Sequence, residues 1–373
     1  MRTDKNNPAT TLMVLRVRHR FASAPIRYSP TPLRSNMTAP FTLPESAASL
    51  KGSRCLVTGG AGFIGSHVVD ALLAQGASVQ ILDNFSTGFR TNLEHRPDDA
   101  KVELIEGDAA CADTVMDATK GCDYIFHLAA MASVPRSMRE PQLCHAWCAT
   151  STVNLLAAAQ EHGIRRVVVA STSAIYGNST WVSKRESDPP APLSPYAAAK
   201  LSAEAYMQSF ARTSDVETVI LRYFNVYGPR QDPKSEYSAV IPRFVSMILT
   251  GERPIIYGDG EQSRDFVYVG DVARANLLAA TVPGISGKTF NIACGRRTTL
   301  LDLLTNLREI LGQDIQPIHD PPRIGDVKDS LADITEARTH LLFEPSVTID
   351  VGLQQSVEYY RSICSPAGSS AKS

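Results

Sequence analysis

The 373-residue sequence has no apolar run approaching the roughly 18 residues of a bilayer span, so no membrane-spanning helix is expected. It also lacks an excess of charge of either sign. Lys and Arg number 37 against 38 Asp and Glu, a formal net charge of −1. That balance gives no general attraction to nucleic acid or acidic lipid, and any anion site must be local. The seven cysteines (Cys55, Cys111, Cys122, Cys144, Cys148, Cys294 and Cys364) are an odd set with no C-x-x-C and no secretory leader ahead of them. A disulfide framework is therefore not expected, and a reducing, cytoplasmic setting is. Cys144, His145 and Cys148 are close enough in sequence to be read as metal ligands. With no second ligand cluster in view, they read as an ordinary helix with small buried thiols. No internal repeat is visible.

The apolar fraction of 43% and charged fraction of 20% are those of an ordinary globular chain with an ample core. Residues 1–50 differ from the rest. Arg2, Lys5, Arg16, Arg18, Arg20, Arg27 and Arg34 face only Asp4 and Glu45, among frequent Ser, Thr and Pro. This stretch reads as a disordered extension, either an organellar targeting segment or the product of an upstream start, since Met37 lies near the beginning of the regular pattern.

From Arg54 onward, short β-branched runs alternate with longer segments whose apolar residues recur at three- and four-residue steps. The runs are 55–58, 79–82, 102–105, 124–128, 167–170 and 219–221, and the helical segments include 64–75, 151–162 and 196–212. Strand and helix in alternation predict an α/β fold, a parallel sheet covered on both faces. Beyond Asn225 the pattern loosens, broken by Pro229, Pro233, Pro242, Pro254, Gly258, Gly260, Pro283, Pro317, Pro321 and Pro322. We expect a domain at 51–225, then a smaller C-terminal α/β substrate-binding region at 226–362, with some chain crossing back to the sheet, and a frayed tail at 363–373.

Between the first strand and the first helix lies Gly59-Gly60-Ala61-Gly62-Phe63-Ile64-Gly65. Gly59 permits a tight turn, Gly62 lets backbone amides approach a pyrophosphate, and Gly65 lets helix and sheet pack closely. This is the Rossmann type of dinucleotide turn, with the phosphates at a helix N-terminus. Asp83 ends the next strand, where a carboxylate can accept from both ribose hydroxyls and would repel a 2′-phosphate, so the cofactor expected is NAD. Asn84 follows instead of an Arg, in agreement. Asp108 either bonds the adenine or caps a loop. Phe63, Ile64 and Ala129 complete the candidate cofactor site.

Tyr196 and Lys200 stand four residues apart, on one face of a helix. A phenol with a pKa near 10 is a poor base at neutrality. An ammonium about 4 Å away, at an effective dielectric near 20, stabilises the phenolate by about 4 kcal/mol, roughly three pK units. Tyr196 could then take a proton from a sugar hydroxyl while hydride leaves the same carbon. Ser171-Thr172-Ser173 follows a buried strand at the sheet edge where substrate belongs. Ser173, and also Ser171, are the candidates to bond the reacting oxygen.

These residues in this order resemble the extended short-chain dehydrogenases/reductases, and more closely the nucleotide-sugar 4-epimerases, from about Lys51 to Tyr360. The match takes in Thr58 to His67, His127-Leu128-Ala129-Ala130, Ser171 to Gly177, Ser194 to Lys200, Leu221 to Asn225, Ser263 to Val267 and Arg323 to Val327. The resemblance implies an isomerase that holds NAD tightly, with hydride leaving C4 of a UDP-sugar and returning to the other face of a 4-keto intermediate. It implies that Asn225 bonds the substrate diphosphate and that Arg264 and Arg323 clamp it, as a charged fork suits phosphate oxygens. It also implies a homodimer through two long helices per subunit.

Relatives that eliminate water carry Asp-Glu where this chain has Ser173-Ala174, and UDP-glucuronate decarboxylases carry Glu at 174, which leaves epimerisation. Ser330 falls where such epimerases gate the 2-substituent of the sugar. A small residue there, with the run Leu221 to Pro233, favours UDP-N-acetylglucosamine and UDP-N-acetylgalactosamine, with UDP-glucose and UDP-glucuronate as alternatives. Cys148 and Ser151 replace an Asn and a Gly of the usual N-x-x-G-T-x-N run. That departure motivates a reading of another class, a non-catalytic NAD-sensing relative, against which the intact Tyr196 and Lys200 pair argues.

Overall fold

β-branched residues suit strands buried on both faces, and each of the six runs forms one. They are β1 (Arg54–Thr58), β2 (Ser78–Asp83), β3 (Val102–Glu106), β4 (Tyr124–His127), β5 (Arg166–Thr172) and β6 (Glu217–Tyr223). The structure, a computed structural model, describes residues 41–97, 100–179, 181–235, 239–322 and 328–364. A seventh strand, Thr289–Ile292, joins β6, and the all-parallel sheet runs Thr289–Ile292, β6, β5, β4, β1, β2, β3. Chain order reverses between β1 and β4, and ligands of open α/β sheets lie at the carboxyl ends of the strands flanking such a point.

Six helices fill the crossovers up to β6: α1 (Phe63–Ala74), α2 (Ala112–Ala118), α3 (Val134–Arg139), α4 (Pro141–His145), α5 (Ser151–Glu161) and α6 (Pro195–Thr213). Val68, Val69 and Leu72 of α1 share one core with Val57, Ile81 and Val168 and with the later helix Val269–Thr281. Val115, Leu155, Leu156 and Met207, from α2, α5 and α6, pack on the opposite face against Leu56, Ile125 and Val169. The fold is thus a Rossmann-type doubly wound sheet.

Between α4 and α5 the helix does not stop. Residues Ala146–Thr150 form a π turn, and hydroxyls serve the carbonyls around it: Ser151 Oγ donates to Trp147 O (2.7 Å) and Thr152 Oγ1 to Cys148 O (2.8 Å). Such turns insert one residue into a helix and concentrate at functional sites.

The smaller region has its own core of Phe244, Ile256, Leu303, Leu304, Leu353, Val357 and Tyr360. Its short strands pair Asn225–Tyr227 with Phe266–Tyr268, Ile255–Tyr257 with Ile318–Asp320, and Ser263–Arg264 with Thr298–Thr299. The helix Val269–Thr281 and strand Thr289–Ile292 return to the large sheet, so a cut at 225 does not separate two bodies. The start of the folded body also needs correction. Phe41 and Leu43 pack on the core, Leu50 is buried, and Ala48 N donates to Thr281 O (3.0 Å). Three apolar side chains in a polar stretch are enough to tie residues 41–50 down. The expectation for residues 1–40, and for the tail from 365, lies outside the described residues, while residues 363 and 364 of the expected tail close the helix Ile349–Cys364 instead of fraying.

Candidate functional site

The chain leaves β1 at Thr58 and enters α1 at Phe63 through a turn that only glycine fits. Gly59 has φ +70°, and a Cβ there would lie 2.7 Å from Ala129 N; one on Gly65 would lie 2.0 Å from Gly59 O. Gly62 is the N-cap of α1, with no side-chain cap and no acidic residue in the first turn. Unpaired amides at a positive helix end suit a phosphate. Asp83 is buried beside this turn, Oδ2 accepting from Ala61 N and Oδ1 from Phe85 N, each at 2.9 Å. Burial pushes its carboxyl upward, against the pull of those two N–H groups.

These groups open on a cavity of about 410 Å³, lined by Gly59, Gly62, Phe63, Ile64, Gly65, Asp83, Asn84, Asp108, Ala129 and Lys200, together with Ser171 and Tyr196. A glycine cradle, an uncapped helix end and a ribose-facing carboxylate fit a dinucleotide. Asp108 has firm protein partners, accepting from Trp147 Nε1 (2.9 Å), Asn84 Nδ2 (3.4 Å) and Ala110 N (2.8 Å). It orders the loop after β3 and also faces the cavity. Met131, Arg136 and Trp147 line the same wall, the Arg136 guanidinium 5.2 Å from the Trp147 ring. Sequence reading passed over these three, because an aromatic and a cation at helical spacing look like any packed surface.

At the cavity's other end α6 begins. Ser194 caps it, accepting from Ala197 N (3.2 Å), and Pro195 fits its first turn. Tyr196 and Lys200 follow on one face. Lys200 is buried, its Nζ donating to Ala170 O at 2.7 Å. Burial lowers its pKa, opposed by Cys148, Cys144 and Glu204. The Tyr196 phenol is pushed well above its ordinary value, mostly by burial and then by Cys148, against a hydrogen bond with Thr172. The lowering expected from Lys200 does not figure among the influences on Tyr196, where desolvation of the phenolate dominates.

The hydroxyl that meets Tyr196 is that of Thr172, the last residue of β5, and not Ser173. Ser173 opens the 3₁₀ turn Ser173–Tyr176, and neither it nor Thr172 is among the described residues that line the cavity. Thr172 Oγ1 also accepts from Ala174 N (3.1 Å), which fixes its rotamer. Ser171 reaches the cavity and donates to Glu204 Oε1 (2.5 Å). Glu204, one turn beyond Lys200, is held by Arg222 through Nε–Oε1 (3.0 Å) and Nη2–Oε2 (2.7 Å).

His127 ends β4 beneath Lys200, wholly buried. Ser151 gives its proton to Trp147 O, so it accepts from His127 Nε2–H (3.2 Å). Nδ1 is then the bare nitrogen and accepts from Thr58 Oγ1 (2.7 Å). Burial, then the Lys200 charge, hold the ring neutral, its pKa down to about 3.

A second cavity, about 400 Å³, adjoins the first at Ala239 and is lined by Asn225, Arg264, Arg243, Tyr257, Gln262 and Phe266. Asn225 Nδ2 donates to Asp265 O (3.3 Å), and Arg264 Nη1 donates to Ser263 O (2.9 Å). Arg243 lies 5.7 Å from the Tyr257 ring. Arg323 lies outside the described residues. Ser330 donates its amide to Ser263 O (3.1 Å) and is absent from both cavity linings among the described residues.

No helix among the described residues is long and apolar enough to cross a membrane. The NAD-dependent epimerase/dehydratase family model matches residues 55–293. The curated UDP-glucose 4-epimerase of Mycolicibacterium smegmatis is 38% identical, over 83% of this chain and 98% of that protein. Among solved structures, the UDP-N-acetylglucosamine 4-epimerase of Methanobrevibacter ruminantium, in complex with UDP-N-acetylmuramic acid, is 42% identical with a TM-score of 0.80, covering 84% of this chain and 99% of that one. The UDP-glucose 4-epimerase of Thermus thermophilus, in complex with NAD, is 37% identical with a TM-score of 0.74, covering 83% and 99%. By sequence, by fold and by the dinucleotide cradle at the carboxyl end of β1, the chain belongs to the NAD-dependent epimerase/dehydratase family.

Proposed function

We propose that the protein is a UDP-sugar 4-epimerase working with NAD, and that its preferred pair is UDP-N-acetylglucosamine and UDP-N-acetylgalactosamine. The observation that carries the reading is the convergence of Tyr196 and Lys200 on the cavity lined by Asp83 and the glycine turn, with Thr172 bonded to the Tyr196 phenol behind them. NAD, held by the Gly59–Gly65 turn and Asp83, would supply the hydride acceptor and donor. Tyr196 takes the proton of the sugar 4-hydroxyl and returns it after the 4-keto sugar has turned over. Thr172 bonds the same oxygen and keeps it on Tyr196, while Lys200, fixed by Ala170 O, supplies the cation that stabilises the phenolate. Asn225, Arg264 and Arg243 in the adjoining cavity would hold the uridine diphosphate, and Arg323 belongs to the same proposed clamp. Ala174 offers no acid for eliminating water.

The N-acetyl preference is supported by the run Leu221 to Pro233; identity favours neither sugar, being 42% both to the Methanobrevibacter ruminantium enzyme and to the UDP-glucose 4-epimerase of Thermotoga maritima. Incubation with UDP-N-acetylglucosamine, UDP-glucose and UDP-glucuronate, followed by proton NMR, tests both levels. A 4-epimer is expected from at least the first, with a kcat/KM ratio over UDP-glucose above one. A ratio below one overturns the sugar assignment, and no 4-epimer from any UDP-hexose overturns the activity. Tyr196→Phe is expected to abolish turnover with NAD still bound.

A further inference from the structure

The end of β5 meets α6 through three successive residues. Ala170 O accepts from Lys200 Nζ (2.7 Å), Ser171 Oγ donates to Glu204 Oε1 (2.5 Å), and Thr172 is hydrogen-bonded to Tyr196. Their partners stand at 196, 200 and 204, one stripe of the helix. The first and third contacts hold groups of the proposed reaction. The middle one joins Ser171 to a carboxylate that no step of the epimerisation uses.

Glu204 is itself held from behind. Arg222 of β6 grips it through Nε–Oε1 (3.0 Å) and Nη2–Oε2 (2.7 Å), and Arg222 Nη1 donates to Tyr176 Oη (2.8 Å). Tyr176 donates in turn to Asn291 Oδ1 (2.7 Å) in the strand Thr289–Ile292, and Asn291 Nδ2 donates to Lys184 O (2.9 Å) and Asp333 O (3.2 Å). Ser171, Tyr176, Glu204, Arg222 and Asn291 are all buried. Each link has a donor and an acceptor, the condition under which a buried polar network rigidifies what it joins. Taking a carboxylate and a guanidinium out of water is costly, and apolar side chains of similar volume often hold such strands as well. They could not hold the Ser171 hydroxyl.

We propose that Glu204 is a positioning residue for the reaction: through Ser171 it fixes the end of β5 on α6, and so keeps Thr172 on the Tyr196 phenol and Lys200 on Ala170 O. This rests on the reading of Tyr196 as the base. The Arg222, Tyr176 and Asn291 relay extends the hold to the chain at 184 and 333, so the reaction centre is anchored to the last strand of the sheet as well as to α6. With the Ser171 clamp open, the strand end can shift slightly without unfolding. A small displacement of the reacting groups costs rate, while the contacts that bind the nucleotide are untouched.

Two variants open the clamp from opposite sides. Ser171→Ala removes the hydroxyl and leaves Glu204 paired with Arg222. Glu204→Leu combined with Arg222→Met removes the acceptor without stranding a buried charge, and Ser171 stays. Steady-state kinetics on the best UDP-sugar substrate should show kcat lower by about tenfold or more in each, with KM little changed. Fluorine NMR of the protein with its cofactor, carrying fluorotyrosine in place of tyrosine, reads the geometry without turnover. The Tyr196 resonance, assigned by its loss in Tyr196→Phe, should shift in both variants. Should the double variant fail to fold, Ser171→Ala decides by the same two measurements. An unmoved Tyr196 resonance in Ser171→Ala overturns the proposal, as does a loss that falls on KM alone. Parental kcat in the folded double variant overturns it too, because Ser171 would then act on the ligand without Glu204. A parent protein inactive on every UDP-hexose, with the resonance shifted in both variants, would sink the epimerase reading and leave the clamp standing.

Discussion

Thr172→Val removes the hydroxyl that meets Tyr196 while keeping the side chain's shape. Loss of a donor that bonds the reacting oxygen is expected to lower kcat on the order of 10²-fold with little change in KM, whereas Ser173→Ala should leave both unchanged. Steady-state kinetics on UDP-N-acetylglucosamine distinguish the two, and the reverse pattern would restore the role to Ser173. Three hydroxyls in a row made the strand's end legible but not the register at which it hands over to a 3₁₀ turn, and that register decides which hydroxyl arrives. Asp83, Gly59 and Gly65 were legible because each answers to a local demand: a strand end, a positive φ and a 2.0 Å contact. Ser151→Gly, which installs the residue usual in relatives, leaves His127 Nε2–H unpaired in the interior. We expect a loss of about 2 kcal/mol in denaturant unfolding, and a variant as stable as the parent would show that the ring finds another acceptor.

At the scale of elements, α1 is tied to the loop 228–232, whose Gln231 and Asp232 line the cofactor cavity. Asp70 of α1 binds Arg96 and Arg230, each at 2.7 Å, and His95 at 3.0 Å. Burial would raise its pKa, but the His95 hydrogen bond and the charges of Arg230 and Arg96 outweigh that and hold the carboxyl well below its usual range. A depressed carboxylate contributes stability that is present above its unfolded pKa, near 4, and is lost as pH falls through the folded value. Asp70→Asn, which strands two nearly buried guanidinium groups, is therefore expected to cost about 3 kcal/mol at neutral pH. The gap between variant and parent should narrow progressively as pH falls below about 4 and close only toward the depressed folded value, as urea titrations at several pH values would show. A gap independent of pH would mean that the carboxylate's charge is not the source. Faster loss of NAD from the variant on gel filtration is expected too. The strands and long helices were legible from periodicity alone. The π turn was not, because inserting one residue leaves an apolar pattern that still reads as helix on both sides of it.

For the whole molecule, the large sheet is completed only by Thr289–Ile292, a short strand with a polar Asn291 at its centre that no period-two pattern marks. Residues 41–225 alone would leave β6 as an unpaired edge and strip the core shared with Val269–Thr281, so that fragment is expected to aggregate. A soluble, cooperatively unfolding fragment would show that the sheet closes without its last strand. Exposed Val134 and Met138 on α3 and Tyr206 on the adjoining α6 lend support to the proposed homodimer. Tyr206→Asp should yield monomers in light scattering if that face is the interface. The late strand also bears on how the chain is made. About 65 residues separate Tyr223 from Thr289, which at ~5–20 residues per second is roughly 3–13 s of translation. During that interval the nucleotide cradle can already have closed on the ribosome while the edge beside it waits for its neighbour, which makes this stretch of synthesis the one in which a chaperone would matter most.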